Sequence, residues 1–317
     1  PHTAVGRVKG CGTISKLLVA GLLSAPLAPL LYAHHNTEEM IARFTERIEA
    51  GESDGDLFYR RATEYRVLRM HAEAEADLRR ALQQDPDHIA ARSELARLLS
   101  RRGENREALA AAEAAVAAAM SDSSRAAALV LVARLHSAEA RHEAALHACE
   151  SALAAHPRGE VEWYLLQSEL LAQADRDDER PGALKAGHDT TGSIVLRNAW
   201  IDALLDVGQA GAVEEIIDQE LAESRLKSSW LLRRARLRVL AGDERGAAAD
   251  LQQCLDELAG RIHPARPDVT LIADRGLANA LLGNPEAAAA DLARARASGA
   301  DGWVTAPLER ALAESTK

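Results

Sequence analysis

The chain of 317 residues carries a formal net charge of −10, and 66 of its residues are alanine whereas only 3% are aromatic. This composition favours helices and excludes a β-sandwich or barrel, because strands require β-branched and aromatic residues. The acidic balance argues against binding to nucleic-acid backbones or anionic membranes.

Residues 1–33 have the composition of an export signal. Three basic residues precede an uncharged apolar stretch from Leu17 to Ala33, which prolines and small residues interrupt near its end. This order is typical of a secretory signal, here cleaved after Ala33. The stretch is nearly long enough to span a membrane, so an uncleaved anchor is the alternative. We therefore expect an exported protein of bacterial type, periplasmic or secreted, which contacts a membrane only if this segment is retained.

Cleavage after Ala33 would place His34 and His35 at the mature N-terminus. A free amine beside imidazole nitrogens can chelate copper, so a structural or metal-handling envelope protein is the alternative function. No other metal site is predicted. His142 and His147 are one residue further apart than in H-E-x-x-H, which places them about 140° apart around a helix.

Other motifs that carry chemistry are missing from the sequence. It contains no phosphate loop, no nucleophile elbow and no C-x-x-C pair. We therefore predict no catalytic residue and no cofactor, and we expect a protein that is not an enzyme.

The chain after residue 34 is organised as helices, beginning with a half-repeat helix expected at 34–54. From Asp56 to Pro86, apolar and small residues recur at spacings of three and four in two stretches, which places each set on one helical face. Their members are Phe58, Ala62 and Tyr65, then Ala74, Leu78 and Ala81. Alanine allows two helices to pack closely, and the proline ends the second helix.

These positions resemble the tetratricopeptide repeat (TPR), a helix–turn–helix unit of about 34 residues. The pattern recurs with first positions at 55, 89, 126, 160, 194, 228 and 269. The resemblance implies an all-α, right-handed α-solenoid of about seven repeats over residues 55–302, with a capping helix at 303–317. Pro181, Gly182 and Gly187 predict that the second helix of the fourth repeat is short, late or irregular, near residues 176–192.

The resemblance also implies a binding surface, because the first helices of TPR repeats line a concave groove. The corresponding residues here are Tyr59, Arg60, Arg66, Arg97, Arg134, Tyr164, Asn198, Asp202, Arg233 and Arg236. Arginine binds carboxylates with two donors, so we expect a non-catalytic scaffold whose protein or peptide partner is acidic or extended. Alternatively, these arginines pair with carboxylates of neighbouring repeats and only stabilise the stack.

Overall fold

The computed structural model describes residues 28–263 and 266–315, without the side chains of residues 28–35 and 315. Within these ranges the chain forms helices and no strand, which confirms the predicted all-α class of helix–turn–helix repeats. The α-helices of the described ranges are α1 (Ala28–Glu49), α2 (Gly55–Val67), α3 (His71–Gln84), α4 (Ile89–Arg101), α5 (Asn105–Ala118), α6 (Asp122–Ala138), α7 (His142–Ala155), α8 (Val161–Gln173), α9 (Arg180–Thr191), α10 (Ile194–Asp206), α11 (Glu214–Glu223), α12 (Ser228–Leu240), α13 (Glu244–Ala259), α14 (Val269–Leu281), α15 (Pro285–Ala297) and α16 (Gly302–Ser315).

The predicted export segment lies mostly outside the described residues. Its last part, from Ala28, belongs to α1, so α1 begins earlier than the half-repeat helix expected at 34–54. Among the helices that the structure describes, none is both long enough and apolar enough to cross a membrane.

The chain divides into two compact units, residues 1–111 (unit 1) and residues 112–317 (unit 2). The division falls within α5 and not near residues 176–192. In unit 1, α2 packs against α1 and α3, and α3 packs against α4. Buried alanines such as Ala62 and Ala81 let these helices approach closely, while Phe58 and Leu78 fill the core between them.

Unit 2 repeats the same arrangement of helix pairs. Its pairs are α6 with α7, α8 with α9, α12 with α13 and α14 with α15, and α16 packs on both α14 and α15. The first helices of neighbouring repeats also contact one another, since α10 contacts both α8 and α12, and α12 contacts α14. Side chains on these first helices therefore lie on one continuous face within unit 2.

A residue with positive φ joins the two helices in each of the seven repeats. Four of these residues are glycines, such as Gly242 with φ of 78°, which adopt this conformation without steric cost. In the other three repeats Arg69, Ala140 and Asp175 take it, with φ between 55° and 59°. A side chain in this region costs about 1 kcal/mol, so these three turns are locally strained.

Three repeats contain a buried ion pair between their two helices. Each pair joins an arginine on the first helix to an aspartate sixteen residues later on the second, through two hydrogen bonds. The pairs are Arg61–Asp77, Arg234–Asp250 and Arg275–Asp291. All three aspartates are at most 5% exposed, so their charges require compensation, which a second arginine shares at Asp77 (Arg80) and Asp250 (Arg238).

The other four repeats place apolar or small residues at the same two positions. These pairs are Leu95 with Ala111, Val132 with Ala148, Leu166 with Gly182, and Trp200 with Ile216. The charged residues therefore occur as complete pairs within a repeat or not at all. We call the three Arg–Asp pairs the intra-repeat forks.

The fourth repeat has the late second helix that its proline and glycines predict. Its second helix, α9, starts late, after a 3-10 turn at Asp177–Glu179, but then continues without interruption to Thr191. Pro181 lies in the first turn of α9, where the missing N–H has no intrahelical acceptor, so it does not break the helix. The shorter second helix is α11 in the fifth repeat, which also follows a 3-10 turn, at Ala210–Ala212.

Candidate peptide-binding site

The predicted groove arginines of unit 1 pair with carboxylates of unit 1 itself. Arg60 Nε lies 2.7 Å from an oxygen of Asp56, one turn earlier on α2. Arg66 Nε lies 2.8 Å from Glu94 Oε1, and Arg97 Nη1 lies 3.1 Å from Glu94 Oε2. The arginine side chains of these pairs are 36–60% exposed, although Glu94 is only 15% exposed, and an ion pair that water reaches in this way contributes about 0–1 kcal/mol. A partner could therefore compete for these arginines at low cost.

The two tyrosines predicted for the groove lie in different surroundings. Tyr59 is half-buried, with its ring centroid 5.0 Å from that of His88. Tyr164 is 5% exposed, and its hydroxyl donates to the carbonyl oxygen of Pro157. A Cβ at Gly187 would lie 2.6 Å from the Tyr164 ring, so this ring packs tightly against α9. Tyr164 therefore contributes to the core of its repeat and does not present its ring to solvent.

Arg134 is exposed on α6 in unit 2. Among the residues that the structure describes, no carboxylate lies within ion-pair distance of it. Of the predicted arginines, it is the one whose guanidinium stays available without displacing a partner.

The remaining predicted residues meet between α10 and α12. Arg233 donates from Nε and Nη2 to the two oxygens of Asp202, at 3.0 and 2.6 Å, and its guanidinium lies 4.8 Å from the Trp230 ring centroid. Desolvation lowers the pKa of Arg233, but Asp202 outweighs it and the pKa is raised overall. Arg236 Nη1 also donates to Asp202, at 3.0 Å. Asn198 Oδ1 is enclosed one turn earlier on α10, with no hydrogen-bond donor among the described residues.

Asp206 pairs with three arginines from three different helices. Arg180 at the start of α9 lies 3.2 Å from one carboxylate oxygen, and Arg310 of α16 lies 2.5 Å from the same oxygen. Arg236 of α12 lies 2.5 Å from the other oxygen. The Asp206 side chain is 16% exposed, so these charges are partly desolvated. Burial lowers the pKa of Arg310, and the neighbouring Arg180 and Arg236 lower it further against the opposing effect of Asp206.

Two adjoining cavities, of about 330 and 380 Å³, open beside these ion pairs. We call them together the unit 2 cleft. Its walls come from the first helices α10, α12 and α14 and from α16, and α8 and α9 close one end. The two cavities share Asn198, Asp202, Arg233, Thr270, Asp274, Val304 and Pro307. The volume lies in the range of sites that enclose small molecules or peptide side chains.

Exposed apolar side chains lie at the cleft. Val195 and Trp303 line the larger cavity and are 44% and 41% exposed, and Leu226, which lines the smaller cavity, is 52% exposed. Apolar side chains around a concave site provide the area from which binding energy is obtained when a ligand covers them.

Asp274 on α14 lines both cavities. Within the described residues it accepts no hydrogen bond and forms no ion pair. Desolvation raises the pKa of Asp274 to about 6; Arg233 opposes this effect, Asp202 and Asp268 add to it, and Arg261 opposes it. The carboxyl is therefore a partly buried acceptor without a hydrogen-bond donor among the described residues.

Candidate metal and thiol chemistry finds no support in the described part of the chain. No cluster of three or more histidine, cysteine or acidic side chains there could hold a metal ion. The side chains of His34 and His35 lie outside what the structure describes. Cys149 and Cys254 are buried, and burial raises the pKa of both thiols to about 12, which removes their nucleophilic form at neutral pH.

The sequence prediction missed several residues of the unit 2 cleft. Asp206 has a local signal, since it follows Asp202 by one helical turn on a predicted first helix. Asp274 lies five residues after its repeat start, the same position that Arg233 holds in the preceding repeat. Arg180 is the first residue of α9 and Arg310 lies in the terminal helix, where no repeat position identifies them.

Comparison with known proteins agrees with the helical architecture. Residues 69–135 match the tetratricopeptide repeat family model, and a search of curated protein sequences finds no match. The chain is similar to the crystal structure of a tetratricopeptide repeat protein from Parabacteroides merdae, at 19% identity over 89% of this chain and 100% of that chain, with a TM-score of 0.51.

Two further solved structures are more distant. YrrB, described as a TPR protein with an unusual peptide-binding site, matches at 15% identity over 68% of this chain and 91% of that chain, with a TM-score of 0.40. Pseudomonas aeruginosa pilF matches at 18% identity over 67% and 93% of the respective chains, with a TM-score of 0.46. The family match identifies residues 69–135 as tetratricopeptide repeats, and the likeness to the Parabacteroides merdae structure shows that the chain has the fold of a tetratricopeptide repeat protein.

Proposed function

We propose that the chain is an exported, non-catalytic scaffold that binds a protein or peptide partner on the face formed by its first helices. The observation that carries this proposal is the unit 2 cleft, a concave site of two cavities with exposed apolar side chains and a polar floor. An extended peptide could cover Val195 and Trp303 and place one side chain between α10 and α14.

The proposal is tested by selecting binders from a display library of random linear peptides. The test variant is Val195→Ser/Trp303→Ser, which removes two exposed apolar side chains of the cleft without changing the charge. Its matched control is Val239→Ser/Leu240→Ser, because these two residues are each 50% exposed in unit 2 but do not line the cleft.

We expect peptides selected on the wild type to bind the control equally and the test variant at least tenfold more weakly, as for the loss of central aromatic contacts. Fluorescence polarisation of labelled peptides measures both affinities. If no peptide is enriched, or if the enriched peptides bind the test variant as tightly as the wild type, the proposal is wrong.

An acidic partner on the groove arginines is a separate part of the proposal. It is supported by the accessibility of Arg60, Arg97 and Arg134. Pull-down with an Arg97→Glu/Arg134→Glu variant should lose partners that the wild type recovers, because the change reverses two exposed charges. Equal recovery of every partner would contradict this part.

Export is tested on protein recovered from the producing cell. Mass spectrometry of its N-terminus should find a chain that begins at His34. A chain that still contains residues 17–33 would instead indicate a retained anchor.

A further inference from the structure

The arginines of the unit 2 cleft are all paired with carboxylates of unit 2. Arg233 is held by Asp202, and Arg261 lies 3.0 Å from Glu257. Arg180, Arg236 and Arg310 all contact Asp206. An acidic ligand in the cleft would have to displace one of these partly buried carboxylates, which would leave that carboxylate uncompensated.

The carboxylates of the cleft are not all paired in return. Asp274, shared by the two cavities, forms no ion pair within the described residues, and neither does Glu169 on α8, which lines the larger cavity. Glu169 accepts only one neutral hydrogen bond, from Gln173 at 3.3 Å. The lining carries five arginines and four carboxylates, and within the described residues the two of these groups that form no ion pair are both carboxylates.

An aromatic side chain lies beside these carboxylates. Trp303 lines the larger cavity together with Glu169 and Asp274. A tryptophan face attracts lysine and arginine cations, and this attraction increases when the site is desolvated. Carboxylate oxygens and an indole around one cavity are complementary to a cation on an aliphatic stem, which would place methylene groups against Val195 and Pro307.

We propose that the unit 2 cleft selects peptide segments that carry a lysine or arginine side chain, and that Asp274 holds the cation. This inference rests on the proposed function, since it names the ligand chemistry of the same cleft. It reverses the acidic preference that the arginine-rich sequence predicts for these repeats: their arginines are paired internally, and the open positions are acceptors.

The experiment uses the full chain and four peptide libraries that differ at one fixed central position. That position is lysine, arginine, norleucine as the neutral analogue of lysine, or glutamate, and the other positions are random. The measured quantity is the ratio of bound lysine to bound norleucine library at physiological ionic strength, where long-range attraction is screened.

We expect this ratio to be about tenfold on the wild type, as for a hydrogen-bonded charge pair. It should fall to within twofold of one on Asp274→Asn. The matched control is Asp218→Asn, which removes the same charge from an exposed residue of α11 outside the cleft and should keep the wild-type ratio.

Three results would contradict the inference. A ratio near one on the wild type, a preference for the glutamate library, or equal ratios on Asp274→Asn and Asp218→Asn would overturn the inference. Peptides that bind without charge preference and are lost on Val195→Ser/Trp303→Ser would overturn the inference alone and leave the proposed function standing. If no library binds, both fail.

Discussion

Arginines at equivalent repeat positions lie in different surroundings in unit 1 and unit 2. Arg60 and Arg233 each follow a repeat start by five residues, and Arg97 and Arg236 each follow one by eight. In unit 1 both arginines are exposed and pair with a carboxylate of their own helix. In unit 2 both are enclosed and pair with α10, the first helix of the preceding repeat.

The difference shows that a repeat position determines which helix face a side chain lies on, but not how buried the side chain is or what it pairs with. The position fixes which face of the first helix an arginine lies on. Its burial and its ion-pair partner depend on the neighbouring repeats. In unit 2 the partners are Asp202 and Asp206 on α10, and Arg310 on α16 shares Asp206. The same residue is therefore available to a ligand in unit 1 and is part of the internal structure in unit 2.

The largest expected effect follows from removing the charge of Asp206. Asp206→Asn leaves Arg180, Arg236 and Arg310 close together without their shared counter-charge, so the free energy of unfolding of unit 2 should fall by about 3 kcal/mol. All four tryptophans lie in unit 2, so urea unfolding followed by tryptophan fluorescence reads this unit. A loss below about 0.5 kcal/mol would show that the enclosed pairs of unit 2 behave like the exposed pairs of unit 1.

The next effect has the opposite sign. The pKa of Asp274 is about 6 when folded, against an ordinary value of 3.8, so the folded state binds the proton more tightly and the ionised carboxyl lowers stability. Asp274→Asn should therefore stabilise unit 2 at pH 7.5 by about 1 to 2 kcal/mol, after allowance for its partial exposure.

This gain should shrink as the pH falls through about 6 and vanish below about 4, where the carboxyl is protonated in both states. Tryptophan-monitored urea unfolding at several pH values measures it. A gain that does not depend on pH would show that the charge of Asp274 is not its cause.

A smaller effect should be alike in the two units. Ala140→Gly in unit 2 and Arg69→Gly in unit 1 each relieve a turn residue with positive φ, so each should stabilise its repeat by about 1 kcal/mol. Hydrogen exchange of the flanking helices measures both variants. A gain in one unit only would mean that the contrast between the units extends to their turns.

The smallest effect is expected for the surface pairs of unit 1. Glu94→Gln removes the counter-charge of Arg66 and Arg97, whose side chains are 36% and 49% exposed and can be hydrated in its absence, so stability should change by less than about 0.5 kcal/mol. Hydrogen exchange of α2 and α4 measures the change. A loss as large as that of Asp206→Asn would remove the distinction between the two units.

The sequence predicts much of the fold because the TPR signal is local. Helix pairing, the repeat starts and the turns depend on spacings of three, four and about 34 residues, which a single chain displays. The late start predicted for the second helix of the fourth repeat is observed, and Pro181 does not interrupt α9 because it lies in the first turn, where a missing N–H breaks no hydrogen bond.

The site is less predictable because its contacts are distant along the chain. Arg310 pairs with Asp206 across 104 residues, and nothing local indicates that α16 forms a wall of the unit 2 cleft. Tyr164 matched the groove pattern, yet the space at Gly187 determines that its ring packs inward. Only the exposed arginines of unit 1, and Arg134, have the accessibility that the pattern predicts.

The intra-repeat forks affect which helices pair with each other while the chain folds. Alanine-rich helices of similar length are nearly interchangeable as partners, so a chain of such repeats could pair the wrong helices while it folds. If α5 took the place of α3 beside α2, Arg61 would face Ala111; if α3 took the place of α5 as the second helix of the α4 repeat, Asp77 would face Leu95. Either mispairing would bury a lone charge at a cost of about 3 to 5 kcal/mol. The forks therefore discriminate against exchanged hairpins, a selection that acts before the native structure exists.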